Sequence, residues 1–129
     1  MTTVLQTALI LLVLLQVKHL LADFFLQTRR MLAGRGEYLH LGRLQHAGLH
    51  AVLSLPAFLV IGAPWTFTLI LCAVEGVLHY HIDWAKGVYS ARTCHGPSDA
   101  AYWRAFGLDQ LLHQLTYVGM VWAWAAITL

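Results

Sequence analysis

The chain has 129 residues, of which 59% are hydrophobic and only 11% are charged. An ordinary soluble domain has about 45–50% apolar and about 25% charged residues, so this composition excludes that class and predicts an integral membrane protein. The formal net charge of +2 is too small to indicate a nucleic-acid partner.

Four apolar stretches follow one another along the chain, each with roughly the 17–25 residues that cross a hydrocarbon core. They are Val4 to Gln27, Ala47 to Ala63, Trp65 to Trp84 and Leu108 to Leu129. No basic residue precedes Lys18, so we interpret the first stretch as a retained membrane helix rather than a signal peptide. The sequence therefore predicts an all-α fold, a single transmembrane domain over residues 1–129 that forms an up-and-down four-helix bundle.

The basic residues predict how this bundle is oriented. They lie in the connections after the first and third helices, at Arg29, Arg30, Arg35, Arg43, Lys86, Arg92 and Arg104. Because short loops rich in Lys and Arg stay in the cytoplasm, both termini are expected outside. Thr28 to Gln45 and Ser90 to Phe106 are longer than turns, and we expect them to lie on the cytoplasmic membrane surface or to form ordinary basic loops.

Each predicted helix carries ionisable side chains near its cytoplasmic end, spaced four residues apart and therefore on one face. They are His19 and Asp23, then His46 and His50, then Glu75, His79 and Asp83, and finally Asp109 and His113. In an up-and-down bundle these four ends share one leaflet and can meet. An ionisable group inside a membrane costs at least about 2.5 kcal/mol, which favours one shared polar cavity open to the cytoplasm.

Imidazole nitrogens and carboxylate oxygens together are typical ligands of zinc, and also of manganese or iron. We therefore predict a divalent metal, with zinc as the best match. Its candidate ligands are His19, Asp23, His46, His50, His79, Asp83, Asp109 and His113. These exceed the needs of one tetrahedral ion, so either two metals bind or some of the groups support the ligands. The alternative is hydrogen bonding that only holds the helices together, at about 0.6–2 kcal/mol per pair.

Three further assignments concern single residues. Glu75 is a candidate general base. Lys86, together with Arg29 and Arg30, is a candidate for holding an anionic headgroup. Lys18 is expected to extend its ammonium group to the membrane surface.

Several of these segments resemble the small bacterial and phage membrane proteins grouped as domain of unknown function family 3307. The segments are His19-Leu20-Leu21-Ala22-Asp23-Phe24-Phe25-Leu26-Gln27, His46 with His50, His79-Tyr80-His81-Ile82-Asp83-Trp84-Ala85-Lys86, and Asp109-Gln110-Leu111-Leu112-His113. The resemblance covers most of the chain, implies a multi-pass protein of the bacterial inner membrane, and brings no established activity. The pattern also resembles, more loosely, membrane-bound metal-dependent hydrolases.

The leading hypothesis is a metal-dependent hydrolase that acts on a lipid or lipid-linked substrate at the cytoplasmic leaflet, with membrane lipids as its partners. Such a metal would lower the pKa of a bound water and polarise a phosphoryl or acyl oxygen. The rival is a carrier or channel subunit for a cation or a proton, which would need a homo-oligomer because four helices are few for a transport path. The third reading is a non-enzymatic membrane scaffold held together by buried polar pairs.

Overall fold

The computed structural model describes residues 2–129, and helices account for most of them. The elements are α1 (Thr2–Leu20), a π-helical turn (Leu21–Phe25), α2 (Arg29–Leu32), α3 (Leu41–Val60), α4 (Trp65–Thr93) and α5 (Ala100–Thr128). No strand occurs within residues 2–129, so the prediction of an all-α fold is confirmed.

The long helices extend beyond the apolar stretches that predicted them. α3 begins at Leu41 rather than Ala47, and α4 continues past Trp84 to Thr93. α5 begins at Ala100 rather than Leu108, so the connection predicted over residues 90–106 is shorter, over residues 94–99, and its place on the membrane surface stays a prediction. The predicted stretches are bounded by apolar composition, but the hydrogen bonds of a helix are local and continue through the polar residues that flank it.

The four long helices pack side by side in a ring. α1 contacts α3 and α5, and α4 contacts the same two helices. One half of the interior is apolar and contains Leu11, Leu15, Phe58, Met120 and Trp124. The other half buries His, Asp, Glu and Lys side chains instead.

The outer surface of the ring is apolar. Val13 on α1, Val60 on α3, Ile70 on α4 and Trp122 on α5 are all exposed. Two helical segments, Thr3–Phe25 and Trp65–Thr93, are long and apolar enough to cross a membrane. This distribution is the reverse of that in a water-soluble domain, where charged side chains are almost never fully buried. Four crossings and the predicted orientation stay predictions.

The connection between α2 and α3 folds around the side chain of Arg43, which is only 3% exposed. Its guanidinium group donates hydrogen bonds to the backbone carbonyls of Gly34, Arg35, Glu37 and Tyr38. Gly87 of α4 lets this connection approach closely, because a Cβ there would lie 2.0 Å from the carbonyl oxygen of Arg35. The segment over residues 28–45 is therefore tied to the end of the ring, and its place on the membrane surface stays a prediction.

Candidate metal centre

The predicted ligands converge at one end of the ring, where α1 and α4 bring their C-terminal parts beside the N-terminal parts of α3 and α5. Each of these four helices contributes one His and one Asp, or two His. The imidazoles of His19, His46, His50, His79 and His113 are all buried. The side chains of Asp23 and Asp83 are 16% and 24% exposed, so the carboxylates lie between the imidazoles and the surface.

Asp23 lies on the π-helical turn that continues α1. The turn is closed by the backbone N–H of Leu26, which donates to the carbonyl oxygen of Leu21 at 2.9 Å, one residue further than in an α-helix. Such a turn shifts the side chains that follow it around the helix axis, and π-turns inside α-helices frequently mark functional sites. Here the turn carries the carboxylate that contacts imidazoles of both α1 and α3.

The first group of candidate ligands comprises Asp23, His46, His50 and His79, with one ligand atom from each lying within 4.8 Å of all the others. Oδ1 of Asp23 is 3.2 Å from Nε2 of His46 and 3.0 Å from Nε2 of His50. Bond lengths of about 2.0–2.2 Å around a tetrahedral ion place neighbouring ligand atoms roughly 3.3–3.6 Å apart. The observed distances are close to this spacing and also fit hydrogen bonds.

The second group comprises His79, Asp83 and His113. The carboxylate of Asp83 has Oδ2 at 3.3 Å from Nε2 of His79 and Oδ1 at 3.4 Å from Nε2 of His113. Oδ2 also lies 3.5 Å from Nε2 of His46, which belongs to the first group. The two groups therefore share His79 and touch through His46 and Asp83, as expected for neighbouring ion sites or for one site with alternative ligands.

His79 belongs to both groups. Its ring is 2% exposed, Nδ1 has no hydrogen-bond partner, and Nε2 faces Oδ2 of Asp83 at 3.3 Å without the alignment of a hydrogen bond. Nδ1 of His46 is likewise buried without a partner. Buried polar atoms are nearly always paired, because an unpaired one costs about 1–3 kcal/mol. The Nδ1 atoms of His46 and His79 are therefore exceptions to the usual pairing of buried polar atoms.

His19 and Asp109 lie beside the two groups rather than in them. Nδ1 of His19 shares a hydrogen bond of 2.9 Å with the hydroxyl of Tyr117, and Nε2 lies 3.1 Å from Oε1 of Gln110 and 3.3 Å from Asp23. Asp109 accepts a hydrogen bond of 2.7 Å from Lys86 and lies 3.6 Å from His113. In this structure both residues contact ligand candidates and hold them in position.

Glu75 lies beneath the cluster, in the interior of the ring. The carboxylate is 1% exposed, forms an ion pair with Lys18, and accepts a hydrogen bond of 2.5 Å from the hydroxyl of Ser54. The expectation that Lys18 reaches the membrane surface is wrong, because its ammonium is buried and also lies 3.4 Å from Nδ1 of His50. Lys18 precedes His19 on a face that points inward, where Glu75 supplies the opposite charge.

The cluster opens into a cavity of about 560 Å³ at the end of the ring. Asp23, His46, Asp83 and Asp109 form its inner wall, and Arg35 and Lys86 add positive charge. Aromatic rings of Phe24, Tyr102 and Phe106 complete the lining. The cavity therefore combines candidate metal ligands, cations and apolar surface, which is the mixture expected where an anionic amphiphile binds.

The sequence did not predict the positions of three residues at this site. Tyr117 lies one turn after His113, at the four-residue spacing that identified the other residues, but its hydroxyl was not counted. Lys18 was discounted because long basic side chains often reach the surface. Arg35 lies beside the cavity because the connection between α2 and α3 folds around Arg43. The spacing of residues in the sequence does not indicate this fold.

Comparison with known proteins gives a family but no activity. A protein family described as being of unknown function, DUF3307, matches residues 10–128 of the chain. No curated protein and no solved structure matches.

Proposed function

Since the chain belongs to the DUF3307 family, whose function is unknown, we propose a function from the geometry of its site: a membrane-embedded, metal-dependent hydrolase acting on a lipid or lipid-linked substrate. The observation that carries the proposal is the pair of His and Asp groups joined by His79, together with the Nδ1 atoms of His46 and His79, which are buried without a hydrogen-bond partner. A scaffold would be expected to pair these nitrogens, because in a membrane interior no water replaces the missing partner.

The apolar outer surface supports four membrane crossings. Exposed hydrophobic side chains occur on all four long helices, and a water-soluble protein of this size rarely shows so large an apolar surface. The basic residues at the cavity end, including Arg29, Arg30 and Arg104, support placing that end at the cytoplasmic leaflet of the bacterial inner membrane.

Zinc is the proposed metal, with manganese or iron as alternatives, because the candidate groups offer only imidazole nitrogen and carboxylate oxygen. Asp23, His46, His50 and His79 would hold one ion, and Asp83 and His113, with His79, would complete a second site or support the first. When bound, the metal supplies a nucleophilic water at neutral pH and polarises the oxygen of the bond to be cleaved.

Residues around the cavity provide the remaining chemistry. Asp109 lines the cavity, and its buried Oδ1 accepts no hydrogen bond and lies 3.6 Å from Nε2 of His113, so Asp109 is the best-placed proton acceptor. Lys86 and Arg35 would hold an anionic headgroup, and Phe24 and Phe106 would contact its apolar part. Glu75, the base expected from the sequence, is directed at Lys18 instead and supports His50 through it.

The rival function, a cation or proton carrier, draws on a different observation. Polar contacts continue from the cavity through Asp23 and His50 to Lys18 and Glu75, as in a proton relay. Beyond this pair the described interior is largely apolar, with Leu11, Leu15 and Phe58 among its core residues, and the buried hydroxyl of Thr68 donates to the carbonyl oxygen of Pro64. A carrier would need a polar path through that half, so the hydrolase is the better-supported proposal.

Metal content tests the proposal directly. Elemental mass spectrometry of detergent-purified wild type should find a near-stoichiometric transition metal, and the His46→Ala, His79→Ala variant should lose it. The matched control is His81→Ala, His95→Ala, which also removes two histidines, both of them exposed. A wild type without metal, or a variant that keeps it, contradicts the proposal.

If metal is found, a lipid screen separates the enzyme from the carrier. The hydrolase should release phosphate or fatty acid from a lipid in a reaction that a chelator stops and re-added zinc restores. The carrier should instead move metal or protons across a liposome membrane without cleaving any lipid.

A further inference from the structure

A second hollow lies beside the metal centre, on the outer surface between α4 and α5. This α4–α5 groove has a volume of about 440 Å³. It exists because Ala85 on α4 and Ala101 and Ala105 on α5 line it with single methyl groups. Lys86 and Asp109 line both this groove and the cavity of the metal centre. Their ion pair, 2.7 Å between Nζ and Oδ2, is therefore the boundary between the two spaces.

The groove is basic at one end and apolar at the other. Lys86 and Arg104 line the basic end, and Leu112 lies two helical turns beyond Arg104, about 11 Å further along α5. Trp103, next to Arg104, is 56% exposed, and indole rings prefer the headgroup level of a membrane. The basic end therefore lies at the depth of lipid phosphates, and the apolar end at the depth of acyl chains.

We propose that the α4–α5 groove binds an anionic phospholipid and is its lateral entrance to the metal centre. Lys86 and Arg104 bind the phosphate, and one acyl chain lies along the apolar wall that ends at Leu112. The use of the groove as an entrance rests on the hydrolase proposed above, whereas lipid binding itself can be measured without it.

The boundary ion pair suits this role. A phosphate in the groove competes with Asp109 for Lys86, and the competition opens the way from groove to cavity. Asp109 keeps other partners when Lys86 turns away, since Oδ2 lies 3.2 Å from the amide nitrogen of Gln110 and Oδ1 lies 3.6 Å from His113. The carboxylate therefore stays paired at the cavity while the headgroup passes.

A larger groove between α3 and α4, of about 720 Å³, provides an internal comparison. It is lined by small residues such as Gly48, Ala51 and Ala73. It contains no Lys or Arg and shares no lining residue with the cavity of the metal centre. This α3–α4 groove has room for an acyl chain but nothing to recognise an anionic headgroup.

Native mass spectrometry of the purified full chain with dioleoylphosphatidylglycerol, against dioleoylphosphatidylcholine, tests the inference. Phosphatidylglycerol should bind more tightly. Arg104→Gln should weaken its binding about fivefold, since a basic residue near anionic lipid contributes about 1 kcal/mol. Ala105→Trp fills the groove and should weaken binding further. The controls are Arg92→Gln, which changes an exposed arginine of α4 outside the groove, and Ala73→Trp, which fills the α3–α4 groove; both should bind like wild type.

Two results would overturn the inference: equal binding of the two lipids by wild type, or equal loss of binding in Ala105→Trp and Ala73→Trp. Arg104 is exposed, so Arg104→Gln decides the matter if Ala105→Trp does not fold. Metal content measured on the same samples keeps the two proposals apart. Lipid selectivity in a protein without metal would contradict the hydrolase proposal and support the lipid-binding site. Metal in a protein without lipid selectivity would support the metal centre and contradict the lipid-binding site.

Discussion

The two halves of the helical ring are built from the same four helices and have the same apolar exterior, but their interiors differ. Near the turn between α3 and α4 the interior contains Leu11, Phe58, Met120 and Trp124. At the other end it contains buried histidines and carboxylates and a buried lysine. The apolar half shows that these helices pack together without any ionisable group. Helix packing alone therefore does not require the ionisable groups of the polar half.

The boundary between the two halves is a layer of paired groups. Lys18 pairs with Glu75 and lies 4.5 Å from the ring centroid of Tyr117. The hydroxyl of Tyr117 bonds His19, while its ring belongs to the apolar core. Every charge in this layer has a partner, in contrast to the Nδ1 atoms of His46 and His79 above it, which are buried without one. The comparison thus separates polar groups that are fully paired within the protein from those that are not.

The largest loss of stability is expected when one charged residue of this boundary layer is removed. Glu75→Ala leaves the Lys18 ammonium buried and unpaired, and breaking such a pair typically costs about 3–5 kcal/mol of unfolding free energy. Replacing both residues, as Lys18→Met with Glu75→Met, should restore most of that loss because no charge stays buried. Thermal unfolding in detergent measures both variants. A double variant as unstable as Glu75→Ala would show that the pair is needed for more than charge balance.

Removal of the metal should cause the next largest loss of stability, because the metal would be held by the polar half. A ligand at 100 times its dissociation constant stabilises the folded state by about 2.7 kcal/mol. A chelator should therefore lower the melting temperature of wild type, and zinc should restore it. The His46→Ala, His79→Ala variant should not respond to either. If the chelator does not change the melting temperature of wild type either, the polar half does not hold a metal under these conditions.

A substitution in the apolar half should lower the free energy of unfolding without changing the metal content. Phe58 is fully buried, and Phe→Ala in a water-soluble core costs about 3–5 kcal/mol. In a membrane the lipid is as apolar as the core, so only the packing part is lost and the cost should be smaller than in a water-soluble core. Phe58→Ala should keep its full metal content by elemental mass spectrometry. Loss of metal in this variant would mean that the two halves are coupled.

The polar residues were predictable because four-residue spacing and helix direction together fix which side chains share a face and an end. His46, His50, His79 and Asp83 come together for this reason. The π-turn that carries Asp23 and the fold of the connection around Arg43 were not predictable, since both depend on contacts with other helices. Helix ends were misjudged for a related reason. A stretch chosen by apolar composition stops at the charged flank after Trp84, whereas the backbone hydrogen bonds of α4 continue through Lys86 to Thr93.

The smallest loss of stability should come from a change at Tyr117, whose ring lies in the apolar half and whose hydroxyl bonds a histidine of the polar half. Tyr117→Phe removes the hydroxyl that bonds Nδ1 of His19 but keeps the ring that packs in the apolar core. A hydrogen bond between membrane helices is worth about 0.6 kcal/mol, so the melting temperature should fall only slightly. His19 in turn contacts Asp23, which belongs to the first ligand group, so metal affinity should weaken measurably in a competition titration with a chelator. An unchanged affinity would place His19 outside the centre, with a role in packing alone.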